Sequence, residues 1–582
     1  MDVLRQVPGF EFAGDIENII GLGLRGNYTL EGRVLVLIDG HEINETNYGS
    51  VIFGGRFFTD NIKKIEIIRG PGSSIYGGMA QLGVINITTK KADDLENGYG
   101  SFVYGNSNEL TSRTTGQFGV GKTFGEDLKL SFTGSLGVTN RSNEMASYAT
   151  NYDSEDGESV TINYADSSEI KNTDLNFNAS YKGLELSAMY QKNLVQIPAG
   201  YADYLKVGGL YLSTKYNWEV NDKLTIKPSV NWKVEDPWTY QGNLGEDARE
   251  LMTRNQRMRN KLIGDYKFSE KVLLTAGGEY QHDLIRSIDE LAVFSDGRDE
   301  VTYSNLAAFG ELSYFSSFAN IILGARIDNH SQFGEAFSPR IAITKVINNF
   351  HVKLLASGAF KAPLFYNIEA NPDILPERAQ VAEIELGYLI NDHISVLGNV
   401  FMNKVEDPII YFIDNESGEE TYFNDEVLST VGFESILKFK YDWGTINTSY
   451  SFYANEGSNV EAYQVEDDDR LLRGFPAHKL ALNANFNVSD KLRIGTSYVF
   501  NSQKVGYYYA EEFWENYVSE TFPSSHIVNL TANYDITKKI GFSLGVYDLL
   551  DDNFLPVNAY DAGYYATPIL GREITAKLNV NF

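Results

Sequence analysis

The chain has 582 residues, with 49 Lys+Arg against 78 Asp+Glu, a formal net charge of −29. That balance excludes a nucleic-acid partner, which needs a basic face, and zero cysteines exclude disulfides, thiolate metal sites and cysteine nucleophiles together. Seven histidines make a rich imidazole metal site a poor expectation, and 43% hydrophobic with 13% aromatic residues argues against disorder.

Apolar runs are short, Val34 to Ile38 being typical, and none approaches the roughly 20 apolar residues of a membrane-spanning helix. A helical membrane protein is therefore excluded. Abundant Gly, Tyr and Phe with only 14 Pro suit a large β protein with many turns. Met1 leads straight into DVLRQVPGFEF, so a secretory leader is not legible here and is expected to have been removed with whatever preceded it.

Residues 1–95 have their own grammar. Compact apolar runs are separated by glycines: GLGLRG (21–26), RVLVLIDG (33–40), IKKIEIIRGPGS (62–73) and GVINITTKK (83–91). Continuous runs at Val34–Ile38 and Ile65–Ile68 predict strands buried on both faces, while DVLRQV and DIENII could each be a short helix. Nine basic and ten acidic residues make 1–91 nearly neutral, so the negative charge belongs to the remainder.

From about Gly98 the sequence alternates. Leu224, Ile226, Pro228, Val230, Trp232 and Val234 fall on one face, and Thr225, Lys227, Ser229, Asn231 and Lys233 on the other. The same period of two recurs in Leu480–Val488, Val528–Ile536 and Ile574–Phe582. It describes strands with one apolar and one wet face. Very short connections (221–222, 269–270, 348–349, 391–392, 442–444, 489–490) alternate with long ones (139–168, 194–206, 237–252, 285–300, 361–377, 407–424, 456–474, 504–524, 550–570). About 22 strands ending at Phe582, with tight turns at one end and long loops at the other, predict an antiparallel transmembrane β-barrel.

A soluble propeller also alternates, but no blade-like repeat is present. Individual runs also exceed the roughly 9–11 residues that a tilted strand needs to cross a bilayer. A lysine at the lipid midplane costs about 2–4 kcal/mol in such barrels, so Lys227 and Lys233 should face the lumen. A barrel this wide needs a stopper, and the small α/β region 1–95 is predicted to be a plug domain inside the barrel of residues 96–582.

The strings VLVLIDG and IKKIEIIRGPGSSIYGGMAQLGVINITTK resemble the plug of the TonB-dependent outer-membrane receptors. The pieces SPR (338–340), GAFKAP (358–363), NPDILPER (371–378) and the terminal GREITAKLNVNF extend the resemblance along the barrel. It implies the outer membrane of a Gram-negative bacterium, contact with lipid and lipopolysaccharide, and active uptake of a large scarce solute. The energy would be delivered by a TonB–ExbB–ExbD complex pulling on a segment ahead of the plug. That segment and a first plug strand should precede DVLRQVPG, so an N-terminal truncation is expected, the alternative being a receptor that is not coupled in the usual way.

Arg25 and Arg69, in the LRG and IRGP motifs, cannot stay unpaired inside a plugged lumen. The resemblance suggests Glu377 (LPER) and Glu434 (VGFES) as wall partners in a plug–barrel lock. Ligand contacts are expected from the polar, aromatic segment 44–58, namely Glu45, Asn47, Tyr48, Phe53 and Arg56. Neighbouring plug turns add Asn27, Tyr28, Tyr76 and Met79, and the aromatic loop 504–524 adds Tyr508 and Trp514. Each of these could instead be packing.

GLGLRG fits G-x-G-x-x-G, but another strand follows it rather than a helix, so a dinucleotide loop is rejected. The acidic runs 152–159 and 465–470 lack the fixed spacing of a calcium loop and read as solvated surface. No histidine stands between Pro363 and Asn371, where heme-type members of the resembled family typically carry one, which lowers a heme reading. No catalytic arrangement, resident metal or cofactor is expected. The expectation is a monomeric receptor for a ferric siderophore, with cobalamin or heme as alternative ligands. A passive porin with a static plug and a soluble β-rich binding protein are the readings from other classes.

Overall fold

The computed structural model describes all residues except 1, 15–19, 30–31, 54–55, 73, 96, 109, 150–158, 198–201, 243–251, 289–293, 295–296, 414–419, 461–462, 466–467, 510–516, 553 and 558–565. From Tyr99 to Asn581 the chain forms a closed antiparallel barrel. Its last strand, Glu573–Asn581, pairs with its first, Tyr99–Ser107, which removes any free sheet edge. Tyr204–Tyr216 and Trp218–Asn221 both pair with Leu224–Gln241 and count as one interrupted strand, so the ring has 22.

Alternation decides which residues meet lipid. On Leu224–Gln241, Val230 and Trp232 are exposed on the outside, while Lys233 is buried and donates to the carbonyl of plug residue Asn44 at 2.8 Å. Register runs unbroken from Leu224 to Glu235, which puts Lys227 on the lumen side too, where it pairs with Asp265 at 2.5 Å. At one end the strands are joined by tight turns such as 222–223, 270–271 and 392–393. The other end carries the long connections, three of which contain hairpins of their own: Met145–Ala149 with Ser159–Asn163, Ile409–Ile413 with Glu420–Asn424, and Lys504–Tyr509 with Tyr517–Phe522. Two connections at this outer end are short, 108–109 and 331–333, an exception that the alternation of loop lengths did not show.

The plug fills the lumen with two small sheets. Phe10–Gly14, Ile20–Leu24 and Asn27–Tyr28 form one. His41–Glu42, Val34–Ile38, Gly83–Thr89 and Ile62–Arg69 form the other, in that spatial order, with Val34–Ile38 parallel to Gly83–Thr89. Phe10, Phe12, Leu22, Leu24, Val36 and Ile85 make the joint core. Val34–Ile38 is buried on both faces, as its unbroken apolar run predicts. Ile62–Arg69 is not: it is the edge strand, and Lys63, Lys64 and Glu66 face outward, so a run rich in isoleucine was misread because its charges alternate with them. Asp2–Arg5 is a short helix. Of DIENII, residues 15–19 lie outside the described residues, and Ile20 begins a strand rather than closing a helix.

Candidate ligand cleft and plug–barrel ion pairs

The glycine-rich turn after Ile20–Leu24 aims an arginine at the wall. Arg25 sits at φ 53° and is followed by Gly26 at φ 77°, a left-handed pair that reverses the chain into Asn27–Tyr28. Its guanidinium donates from Nε and Nη2 to Glu434 at 3.0 and 3.1 Å and from Nη1 to Glu383 at 2.7 Å, and lies 4.0 Å from the centroid of the Phe401 ring. Arg69 donates to the second oxygen of Glu434. Burial alone would lower the Arg25 pKa, but the two carboxylates outweigh it and hold the group firmly protonated.

Glu377 is not a partner of Arg25 or Arg69. It takes Arg33 through three hydrogen bonds, from Nε to its two oxygens at 3.2 and 3.0 Å and from Nη2 at 2.7 Å, and adds Lys361 at 3.3 Å and the Ile409 amide at 2.9 Å. Arg33 also donates to the carbonyls of Tyr28 and Ile409. These two sets are among the buried ion pairs that join plug to wall, and the sequence reading missed Arg33, Lys361 and Glu383. A signal for Glu383 was present. On the alternating strand Glu377–Asn391 it shares the lumen face with Glu377, six residues earlier.

Most of the expected ligand residues are spent elsewhere. Glu45 is buried and accepts from the amides of Asn47, Tyr48 and Ser50 at 2.7, 2.8 and 2.9 Å, so it staples its own loop. Asn47 is buried against Thr253 and Asn255 of the wall. Asn27 donates to the Arg25 carbonyl and to Thr430, and the Tyr28 hydroxyl donates to the Arg473 carbonyl at 2.7 Å. Phe53 packs on Phe12 and Phe57, and Arg56 is buried beside Gln191. Tyr48 lies between Trp238 and Tyr366, with ring centroids 5.1 and 5.0 Å away. A polar, aromatic plug loop serves docking to the wall as well as it serves a ligand, and the contacts these residues make here are docking contacts. Trp514 lies outside the described residues, and Tyr508 is placed by its backbone on the outer strand Lys504–Tyr509.

Tyr76 is half-buried, and Met79 is buried in one cluster with Leu35, Leu37 and Val84. Both line a cleft between the plug turn 76–79 and the wall, partly open to solvent and with about 70 Å3 of water-sized space. The opposite side brings Phe365 and Ile368 from a short helix in the 362–376 connection, with Tyr303, His330, Phe333 and Phe360. The Tyr366 amide donates to the Asn47 carbonyl at 3.2 Å, which ties that connection to the plug apex. The floor is charged and balanced. Arg257 pairs with Asp283 and Glu42, Arg259 with Glu42, and Arg326 with Asp328 and Glu279. Burial raises the Glu42 pKa, but Arg259, Arg257 and Lys233 outweigh it and keep the carboxylate ionised. Among the described residues lining the cleft, four buried atoms have no hydrogen-bond partner: Asn255 Oδ1, Asn305 Oδ1, Arg326 Nη1 and Glu279 Oε2, the last in an ion pair with Lys261 at 2.7 Å.

A lipid-faced 22-stranded barrel, closed by its own amino-terminal domain and open to the outside through a cleft on that domain, defines a plugged outer-membrane receptor. Residues 83–549 match the family described as TonB dependent receptor-like, beta-barrel, and residues 1–84 match the TonB-dependent Receptor Plug Domain. The chain belongs to the TonB-dependent receptor family and resides in the outer membrane. That family is made up of receptors and transporters.

Among curated relatives, the chain is similar to the ferrienterobactin receptor of Escherichia coli (24% identical over 665 residues, covering 94% of this chain and 85% of the relative). It is also similar to the vitamin B12 transporter BtuB of Vibrio vulnificus (22% over 535 residues, 87% and 78%). Among solved structures, the siderophore receptor PirA from Acinetobacter baumannii superposes with a TM-score of 0.77 at 17% identity, covering 100% of this chain and 95% of that one. A mutant ferric enterobactin receptor (PfeA) from Pseudomonas aeruginosa, in complex with enterobactin, gives 0.81 at 16% identity, with 100% and 96% covered. At these identities the structures speak for the fold.

Proposed function

We propose that this receptor takes up a ferric siderophore across the outer membrane by TonB-coupled transport, as a monomer driven by the TonB–ExbB–ExbD complex. The observation that carries the reading is the cleft at Tyr76 and Met79. It is aromatic-walled, faces outward, and is closed below by a plug that buried ion pairs hold to the wall. A solute bound there cannot pass while those pairs hold, so transport needs work, and the outer membrane has no gradient or nucleotide of its own. Coupling therefore imports energy to move the plug. Relatives named for siderophores support the ligand class, and the BtuB likeness keeps cobalamin as the second reading. The chain acts as a receptor, not as an enzyme.

Uptake of labelled ferric siderophore by cells carrying the receptor, before and after collapse of the proton-motive force, tests the reading. Uptake should stop on collapse. Uptake that continues unchanged would identify a passive pore, and growth restored by cobalamin rather than by chelated iron would move the ligand to the second reading.

A further inference from the structure

Strand topology sorts the charge of this chain by membrane side. The described residues of the outer connections (within 108–109, 141–168, 197–203, 242–252, 288–299, 331–333, 362–376, 407–426, 456–477, 502–524 and 548–572) hold 17 Asp+Glu and 6 Lys+Arg. All other described residues together hold 36 Asp+Glu and 42 Lys+Arg. Among the described residues the net negative charge therefore sits at the mouth of the barrel, above a low-dielectric bilayer that focuses its field into the lumen.

The cleft below offers nothing to reverse that field. Its lining carries three arginines, Arg257, Arg259 and Arg326, and three carboxylates, Glu42, Glu279 and Asp283, with every arginine already paired. An anion entering would find no uncompensated cation and would have to break existing pairs. The atoms left without hydrogen-bond partners and outside an ion pair, Asn255 Oδ1, Asn305 Oδ1 and Arg326 Nη1, are two acceptors and one donor, suited to an amide or hydroxyl of a ligand rather than to a concentrated negative charge.

We infer that this receptor selects a ligand that is neutral or positively charged, a hydroxamate-type ferric chelate rather than a catecholate-type one, with the acidic outer connections as the filter. The chemistry of the two chelators separates them. Three hydroxamates cancel the ferric charge and an appended ammonium makes the complex cationic, whereas three catecholates leave it with three negative charges. The inference rests on the proposed uptake of a siderophore for its ligand class, but its charge rule stands apart from that reading.

Two measurements test it. The chain has no cysteine, so Ser331→Cys, in the exposed turn beside the cleft residues His330 and Phe333, introduces a single thiol. In purified full-length receptor at low ionic strength, a trimethylammonium methanethiosulfonate should modify it at least about tenfold faster than the sulfonate reagent, relative to their rates with a free thiol. That ratio should collapse toward one in about 1 M salt. Equal rates, or a faster sulfonate, would overturn the filter.

Separately, a neutral ferric trihydroxamate, its ammonium-bearing analogue, a ferric tricatecholate and cobalamin are titrated against tryptophan fluorescence. The trihydroxamates should bind, the cationic one more tightly as salt is lowered, and the tricatecholate at least tenfold more weakly. Preference for the tricatecholate sinks the inference. Binding of cobalamin alone, with the thiol rates as expected, would remove the siderophore reading and leave the charge rule intact. If none of the four binds, the thiol rates decide.

Discussion

Arg25 and Glu434, 409 residues apart in the chain, meet through two hydrogen bonds of 3.0 and 3.1 Å with side chains no more than 1% exposed. A parallel, bidentate fork of this kind fixes position as well as charge. It is a point at which the plug is registered against the wall, because Glu434 belongs to a continuous wall strand and Arg25 to a tight plug turn.

Removing one partner should cost more than removing both. Arg25→Ala leaves Glu383 and Glu434 facing each other with only Arg69 for compensation, and a lost partner in a buried pair costs about 3–5 kcal/mol. Amide exchange in Ile20–Leu24 should accelerate accordingly in the single variant. In Arg25→Ala/Glu434→Ala the acceleration should fall short of the sum of the single changes. Additive effects would show that the two groups do not interact.

The Arg33–Glu377 set should behave as an independent lock. No carboxylate is shared between the two sets in the described residues, since Glu377 takes Arg33 and Lys361 while Glu383 and Glu434 take Arg25 and Arg69. Combining Arg33→Ala with Arg25→Ala should therefore add within about 0.5 kcal/mol, read as the denaturant midpoint for plug proteolysis. A large departure would join the sets into one network.

Gly9 supports the first set through its missing side chain. It has φ 79°, and a Cβ there would stand 2.6 Å from Glu434 Oε1 and 3.0 Å from Arg25 Cγ. Gly9→Ala should destabilise plug docking by more than the roughly 1–2 kcal/mol of a left-handed alanine, because the carboxylate must also move. The same proteolysis midpoint checks it, and a shift within 0–1 kcal/mol would refute the contact.

Acid should loosen the plug edge at His41. Burial, with the charge of Lys215 adding to it, lowers this imidazole from 6.5 to about 3, and its Nε2 lies 2.9 Å from Ser187 Oγ. The folded form therefore binds fewer protons than the unfolded one. The stability is fully present above pH 6.5 and is lost as pH falls toward 3, by up to about 1.4 kcal/mol per pH unit. Hydrogen exchange at His41–Glu42, corrected for intrinsic rates, should rise across that window in the parent and stay flatter in His41→Gln. An identical slope in both would place the titration elsewhere.

Ligand affinity should follow the cleft and not the loop below it. Tyr76→Ala should raise Kd at least several-fold, and Met79→Ala should do so as well while also lowering the plug midpoint, because Met79 is buried in the plug core. Glu45→Gln should move the midpoint and leave affinity nearly unchanged, since its carboxylate bonds only within its own loop. The reverse pattern would return segment 44–58 to the binding site.

Local and periodic features were legible in the sequence. Alternation fixes a strand's two faces, a lysine's cost in lipid then fixes which is outside, and the turns and strand count give closure, so the 22-stranded ring and an amino-terminal stopper could be read from Lys227, Lys233 and the GLGLRG and IRGP motifs. Partnership was not legible. Arg25, Arg33 and Arg69 are alike as charges in glycine-rich turns, and only docking the plug in the lumen gives Arg33 to Glu377 and the other two to Glu434 and Glu383. The same docking decides that Glu45 and Asn47 are buried against their own loop and the wall while Tyr76 and Met79 line the cleft. Covalent sequence sets periodicity and the cost of exposure over a few neighbours, whereas which buried charge meets which, hundreds of residues away, depends on the rotation and depth at which one rigid body seats in another.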